Sequence, residues 1–342
     1  MSSSGRCPQH QVQWLIAALL VGGAGQALLG LYQFIFRIGP DWFMIMGRFM
    51  RASGSFGQPN PYAGYLGLCL PVAASLALTT WQRLWPRYIE SRQSPLLNPP
   101  YLWALFYTGA TGLLGMALLA SWSRGGWLGA ATGLATVVFL RSRQAMAWGI
   151  SGLLAFLLVI LLGSTLPDWV PAPVVARLQD IPAYLGLTDV LSQPVTEENF
   201  AVMERLAHWV AALRMWESAP WFGVGPGNYA TVYPVVRLPQ WEEPLGHAHN
   251  IYLNALAETG LVGFGGYLLL WGAIILWLWR QYQRAIQRQA HWQAAFALGV
   301  LGVVGHLTVH NFFDNLFVQG MYLQIAFWLT ALILAGHEEA DV

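Results

Sequence analysis

The chain contains no lysine: its seventeen basic residues are all arginine. Charge of either sign is scarce, at 10% of residues against about a quarter in a soluble domain. A net charge of +1 leaves little positive excess for a phosphodiester backbone, which argues against nucleic acid as a partner. Cysteine is nearly absent. Cys7 lies in the polar N-terminal stretch and Cys69 in an apolar run, so neither a disulfide framework nor a cysteine metal cluster is available. The apolar run 15–36 lacks a small-residue cleavage site and is long enough to span a bilayer, so it reads as a membrane helix and not as a signal peptide.

Apolar sequence fills the space left by charge. Hydrophobic residues make up 56% of the chain, and the mean hydropathy is +0.46. Eighteen Trp and thirteen Tyr suit two interfacial belts. Runs of about twenty apolar residues predict eight membrane spans, near 12–36, 61–81, 101–121, 126–140, 146–166, 250–279, 291–311 and 317–336. The expected fold is an all-α polytopic membrane protein with one large extracytoplasmic loop. Three regions follow: N-terminal helices over 1–166, the loop over 167–249, and C-terminal helices over 250–342. Short-loop arginines divide nine to four if every span crosses. The richer side (Arg6, Arg83, Arg87, Arg92, Arg141, Arg143, Arg280, Arg284, Arg288) is then cytoplasmic, with both termini. Arg37, Arg48, Arg51, Arg124 and the large loop face outward.

The loop leaves the membrane through Pro167-Asp168-Trp169-Val170-Pro171, which cannot stay helical. Val202, Leu206, Trp209, Leu213 and Trp216 then recur at helical spacing, with Glu204, Arg205 and His208 on the other side. Such a helix either lies flat in the interface or packs on the bundle. Pro220-Trp221-Phe222-Gly223-Val224-Gly225-Pro226-Gly227-Asn228 follows as a glycine-punctuated turn. Its G-x-G is no dinucleotide fingerprint, since no strand precedes it.

Polar chemistry gathers on the outward side. Gly246-His247-Ala248-His249-Asn250 stands where the loop re-enters an apolar helix, and imidazole is an acid, base or ligand near neutral pH. On a regular helix Glu258 would lie nearly opposite His249, which makes it a cap or the partner of another span. His247 and His249 suit a metal only from an extended segment, and spacing supplies no third ligand nearby. Ser121-Trp122-Ser123-Arg124-Gly125 joins two spans, and Arg51 to Tyr62 forms a polar turn before the second span. Arg124 either anchors the interface or binds an anion. Arginines converging without carboxylates would suit a diphosphate, because the guanidinium fork donates in pairs. His306, His310 and Asp314, four apart, would form one drifting stripe: an interhelical network, a cavity wall or a metal site.

Ser123-Arg124-Gly125, Glu204-Arg205, the run from Trp216 through Gly223-Val224-Gly225-Pro226-Gly227-Asn228, and His249-Asn250-Ile251-Tyr252-Leu253 with Ala257-Glu258-Thr259-Gly260 together resemble the O-antigen ligase/polymerase superfamily. That superfamily includes lipopolysaccharide O-antigen ligases, Wzy-type polymerases and protein O-oligosaccharyltransferases. The resemblance implies a GT-C-like glycosyltransferase without metal or other cofactor. It would act at the outer face of a bacterial cytoplasmic membrane. Its donor would be an undecaprenyl-diphosphate-linked glycan and its acceptor a hydroxyl on a glycan, lipid or protein. Residues matching Arg124 and Arg205 would hold the diphosphate, and the one matching His249 would orient or deprotonate the acceptor, with inversion at the anomeric carbon. Arg51, Asn60, Asn250, His310 and Asp314 are further substrate-binding candidates. The alternative is a transporter of a small anion such as bicarbonate. A transporter would more naturally show internal repeats and broken helices, and no repeat is evident.

Overall fold

A computed structural model describes residues 9–45, 47–91, 98–142, 144, 146–147, 149–151, 194–196, 199–317 and 320–337. Nine helices are assigned among them: α1 Gln9–Phe36, α2 Pro59–Ser91, α3 Pro99–Ala120, α4 Arg124–Phe139, α5 Phe200–Ser218, α6 Tyr229–Val236, α7 Ile251–Gln287, α8 His291–His310 and α9 Met321–His337. The strands β1 (Met44–Ile45) and β2 (Phe49–Met50) form a small antiparallel pair between α1 and α2.

Among the described residues five helices are long and apolar enough to cross a membrane: Gln11–Phe36, Pro59–Trp85, Pro99–Ala120, Ile251–Gln287 and His291–His310. The expected spans near 126–140 and 317–336 correspond to the shorter α4 and α9. The span expected over 146–166 lies outside the described residues beyond 151. The molecule is thus helical and polytopic, as its composition requires.

Two compact units divide the chain: Met1–Met146 with Ala273–His310 and Leu316–Val342, and Ala147–Gly272 with Asn311–Asn315. In the first unit α8 packs on α2 and α4, while α3 packs on α2 and α1. Apolar side chains cannot separate a helix pair from lipid by themselves, so close backbone approach holds it together. A Cβ on Gly302 would fall 2.8 Å from the Gly133 carbonyl oxygen. Most of α8 is buried, including His306 and His310.

The second unit is built on α5, α6 and the first part of α7. Ala211, Ala212, Met215, Tyr229, Tyr233, Ala248 and Ala257 form its core. The helix expected over 199–218 is present as α5. Val202, Met203, Ala207, His208, Ala211, Ala212 and Met215 face inward, whereas Leu206, Trp209 and Trp216 are half-buried and Leu213 is exposed. Alanines form the inward stripe because tyrosine rings must fit against it.

Candidate active site

The histidine motif is not the start of a regular helix. His249 has φ 49°, in the left-handed region, and α7 begins only at Ile251. The helical projection from His249 therefore does not apply. Asn250 caps the helix: its Oδ1 accepts from the Tyr252 and Leu253 amides at 3.0 and 3.1 Å. Asn250 is 2% exposed, so the residue expected to bind substrate also fixes the start of α7.

Glu258 is also a cap, but of another helix. Its Oε1 accepts from the Tyr229 amide at the start of α6 (3.0 Å), and its Oε2 accepts from Asn254 Nδ2 (3.2 Å). Asn254 in turn accepts from the Ala248 amide at 3.1 Å. One polar chain thereby ties the loop before His249 to α6 and α7.

Helix α7 breaks at Gly260, with φ 62° and ψ −167°. Amides and carbonyls freed by the break are taken up by the glycine-rich turn. Leu261 and Val262 amides donate to the Pro220 and Trp221 carbonyls at 2.9 and 3.1 Å. Val224 and Gly225 amides donate to the Ala257 and Glu258 carbonyls, both at 2.9 Å. Gly223, at φ 68°, lies against the backbone of Glu258 and Thr259, and Gly260 lies against that of Trp221 and Phe222. The two motifs, distant in sequence, form one lock that holds the histidine segment.

Asp314 lies where spacing could not place it. Helix α8 ends at His310, so the expected four-residue stripe stops there. The following turn comes against the histidine segment: the Ile251 amide donates to the Asn311 carbonyl (3.0 Å), and Phe312 packs on Tyr252. Asp314 Oδ1 then stands 3.4 Å from His249 Nδ1 and accepts from the Asn315 amide at 2.8 Å. His249 Nε2 is buried and has no hydrogen-bond partner among the described residues.

His247 completes the cluster. Ligand atoms of His247, His249 and Asp314 lie within 4.8 Å of one another, so the third potential metal ligand that sequence spacing lacked is present. The fit is nevertheless incomplete. His247 Nδ1 accepts the His249 amide at 3.0 Å, which puts the proton of the neutral ring on Nε2 and leaves that nitrogen no lone pair for a cation. Burial, then His249, holds His247 down at about 4; Asp314 opposes the shift and Arg205 adds to it.

Beneath the cluster, His208 stacks on Tyr233 at 4.6 Å and meets His249 edge-on at 5.9 Å. The Tyr229 hydroxyl donates to the His208 carbonyl (3.1 Å) and so accepts from His208 Nδ1 (3.0 Å). Burial, followed by the fields of His249 and His247, lowers His208 to about 4. Arg205, on the same helix, is half-buried and donates to the Ala201 carbonyl at 3.3 Å. Glu204 was not among the expected site residues. Burial raises its pKa while His249 and Arg205 pull it down, which marks all three as electrostatic neighbours.

The first unit holds a separate polar cluster. Arg51 Nε donates to the Ser121 carbonyl (3.0 Å) and Arg51 Nη2 to Asn60 Oδ1 (3.2 Å). These bonds clamp the two turn motifs together and place Asn60 beside Arg51. Ser123 caps α4 by accepting from the Gly126 amide at 3.2 Å, which sets Arg124 as the first helical residue, half-buried. His310, expected at the substrate, is 1% exposed with Nδ1 3.4 Å from His306 Nε2. Gly67 and Gly129 leave the space for the His306 ring. An interhelical network describes this pair better than a cavity wall.

A helical membrane protein with an imidazole–carboxylate cluster where a loop re-enters an apolar helix is the class defined so far. Residues 109–268 match the family model described as O-antigen ligase. That match supports the O-antigen ligase/polymerase superfamily that the chain's motifs resemble. Arg124, Arg205, His249 and Asn250 fall inside the matched stretch; Arg51, Asn60, His310 and Asp314 fall outside it. No curated protein compared with the chain matches it.

Proposed function

We propose that the chain is a membrane glycosyltransferase. It would move a glycan from an undecaprenyl-diphosphate carrier onto an acceptor hydroxyl, as a ligase or polymerase, at the outer face of the cytoplasmic membrane. The observation that carries this reading is the His249–Asp314 pair, with Nδ1 toward the carboxylate and Nε2 without a partner among the described residues. The carboxylate holds the proton on Nδ1 and leaves the Nε2 lone pair for the acceptor. The separation of 3.4 Å is long for a hydrogen bond, as catalytic bonds often are before substrate binds.

His249 Nε2 takes the acceptor proton as the acceptor oxygen bonds to the anomeric carbon. The bond from that carbon to the diphosphate breaks, and the charge leaves with the lipid diphosphate. Attack opposite the leaving group inverts the centre. Arg205, whose charge reaches Glu204 and His247, stabilises the departing diphosphate. Arg124 takes the same role from the resemblance alone. No metal is required, and the family match does not favour the anion transporter.

The test uses the purified full chain with an undecaprenyl-diphosphate glycan and candidate acceptors. Transfer should survive chelation and disappear in His249→Ala and Arg205→Ala. Full transfer by His249→Ala removes the base assignment. Loss on chelation, restored by a divalent cation, makes the His247–His249–Asp314 cluster a metal site instead.

A further inference from the structure

The first unit contains a cavity of about 390 Å³, within the roughly 300–1,000 Å³ usual for small-ligand sites. It opens where four helix segments meet: the start of α1 at Gln13, the second half of α2 at Leu76 to Leu84, and the starts of α3 and α8. Its chamber is apolar, walled by Leu76, Leu84, Trp103, Tyr107, Trp292 and Ala295. The other lining groups differ in kind. Arg83 and His291 are exposed, and Thr79 and Thr80 stand half-buried beside them.

Among the described residues no carboxylate lines the cavity. Arg83 makes no hydrogen bond or ion pair with any described residue. Arg141 provides the contrast. It donates to Thr79 Oγ1 (2.6 Å) and Gln82 Oε1 (2.9 Å), so its guanidinium is bound to α2. One arginine is thus committed to packing, while Arg83 gives no donor to any described residue and stands at the edge of an apolar chamber. Trp14 lies edge-on to Trp103 at 5.1 Å, and Trp103 stacks on Tyr107 at 5.6 Å. Such amphipathic rings belong at headgroup depth.

We infer that this cavity binds one anionic phospholipid, its phosphate at Arg83 and His291 and part of an acyl chain among Trp103, Tyr107 and Trp292. A free phosphate would use the cationic edge but not the chamber, and a neutral lipid the chamber but not Arg83. The anionic lipid satisfies both. The inference does not depend on His249 or on glycan transfer.

Lipid retention by the full-length chain in mild detergent tests it, with native mass spectrometry after exposure to equal phosphatidylglycerol and phosphatidylcholine. One phosphatidylglycerol per chain should be retained about fivefold over phosphatidylcholine, whose choline cation offsets its phosphate; that is the factor expected for one arginine near a net negative headgroup. Arg83→Gln should remove the preference, and Arg83→Lys should restore most of it, which separates charge from misfolding. Thr80→Trp should lower retention of both lipids by filling the chamber. An undiminished preference in Arg83→Gln overturns the proposal. So does displacement of phosphatidylglycerol by inorganic phosphate as effectively as by a short-chain phosphatidylglycerol.

Discussion

At the residue, the carboxylate of Asp314 decides what His249 can do. An imidazole with Nδ1 facing an anion keeps its proton there and offers a basic Nε2; without the anion, both tautomers compete. Asp314→Asn preserves the shape and removes the charge. It should lower kcat by about 100-fold or more with little change in KM, since only the transition state gains from the stabilised imidazolium. A KM rise with unchanged kcat would instead make Asp314 a substrate-binding group, as its sequence position first suggested. Asn250 carries a structural task. It sits in the recognisable motif, yet both of its observed acceptor bonds go to the first turn of α7, a task any helix start imposes.

At the element, the break in α7 is the feature most dependent on backbone chemistry. Gly260 and Gly223 both have positive φ, and each faces the other segment's main chain. A side chain at either position meets backbone atoms that cannot rotate aside. Gly260→Ala should therefore destabilise the folded chain by about 2 kcal/mol or more, combining left-handed strain with steric overlap. Glu258→Gln keeps the shape of the α6 cap and removes its charge, with an expected loss of about 1 kcal/mol. Thermal midpoints in one detergent rank the two, and a Gly260→Ala midpoint equal to wild type would mean that the lock carries no load. Apolar run length made these helices legible in the sequence, and motif order made the family legible. The break itself was hidden, because glycine inside an apolar helix equally suits close packing. The inward face of α5 was hidden as well, because the alanines that pack with the tyrosines of α6 carry little hydrophobic signal.

At the scale of the whole molecule, long-range contacts supplied what spacing lacked. Asp314 and His249 are 65 residues apart, and only the end of α8 at His310 frees the turn that brings the carboxylate back. The same assembly buries uncharged histidines, which gives stability a dependence on pH. His208 and His247 both fall from the ordinary 6.5 to about 4 on folding, chiefly through burial. The unfolded chain therefore binds more protons than the folded one between those values. Stability is fully present above about 6.5 and declines as pH falls toward 4. For His208, 1% exposed, the full loss is about 3 kcal/mol. Thermal midpoints of the full chain at pH 7.5, 6, 5 and 4 should fall steadily across that window. His208→Phe retains the stacking surface against Tyr233 but cannot be protonated, so its midpoint should fall less steeply even if it starts lower. An identical slope in wild type and variant would show that His208 is not among the groups taking up protons on unfolding.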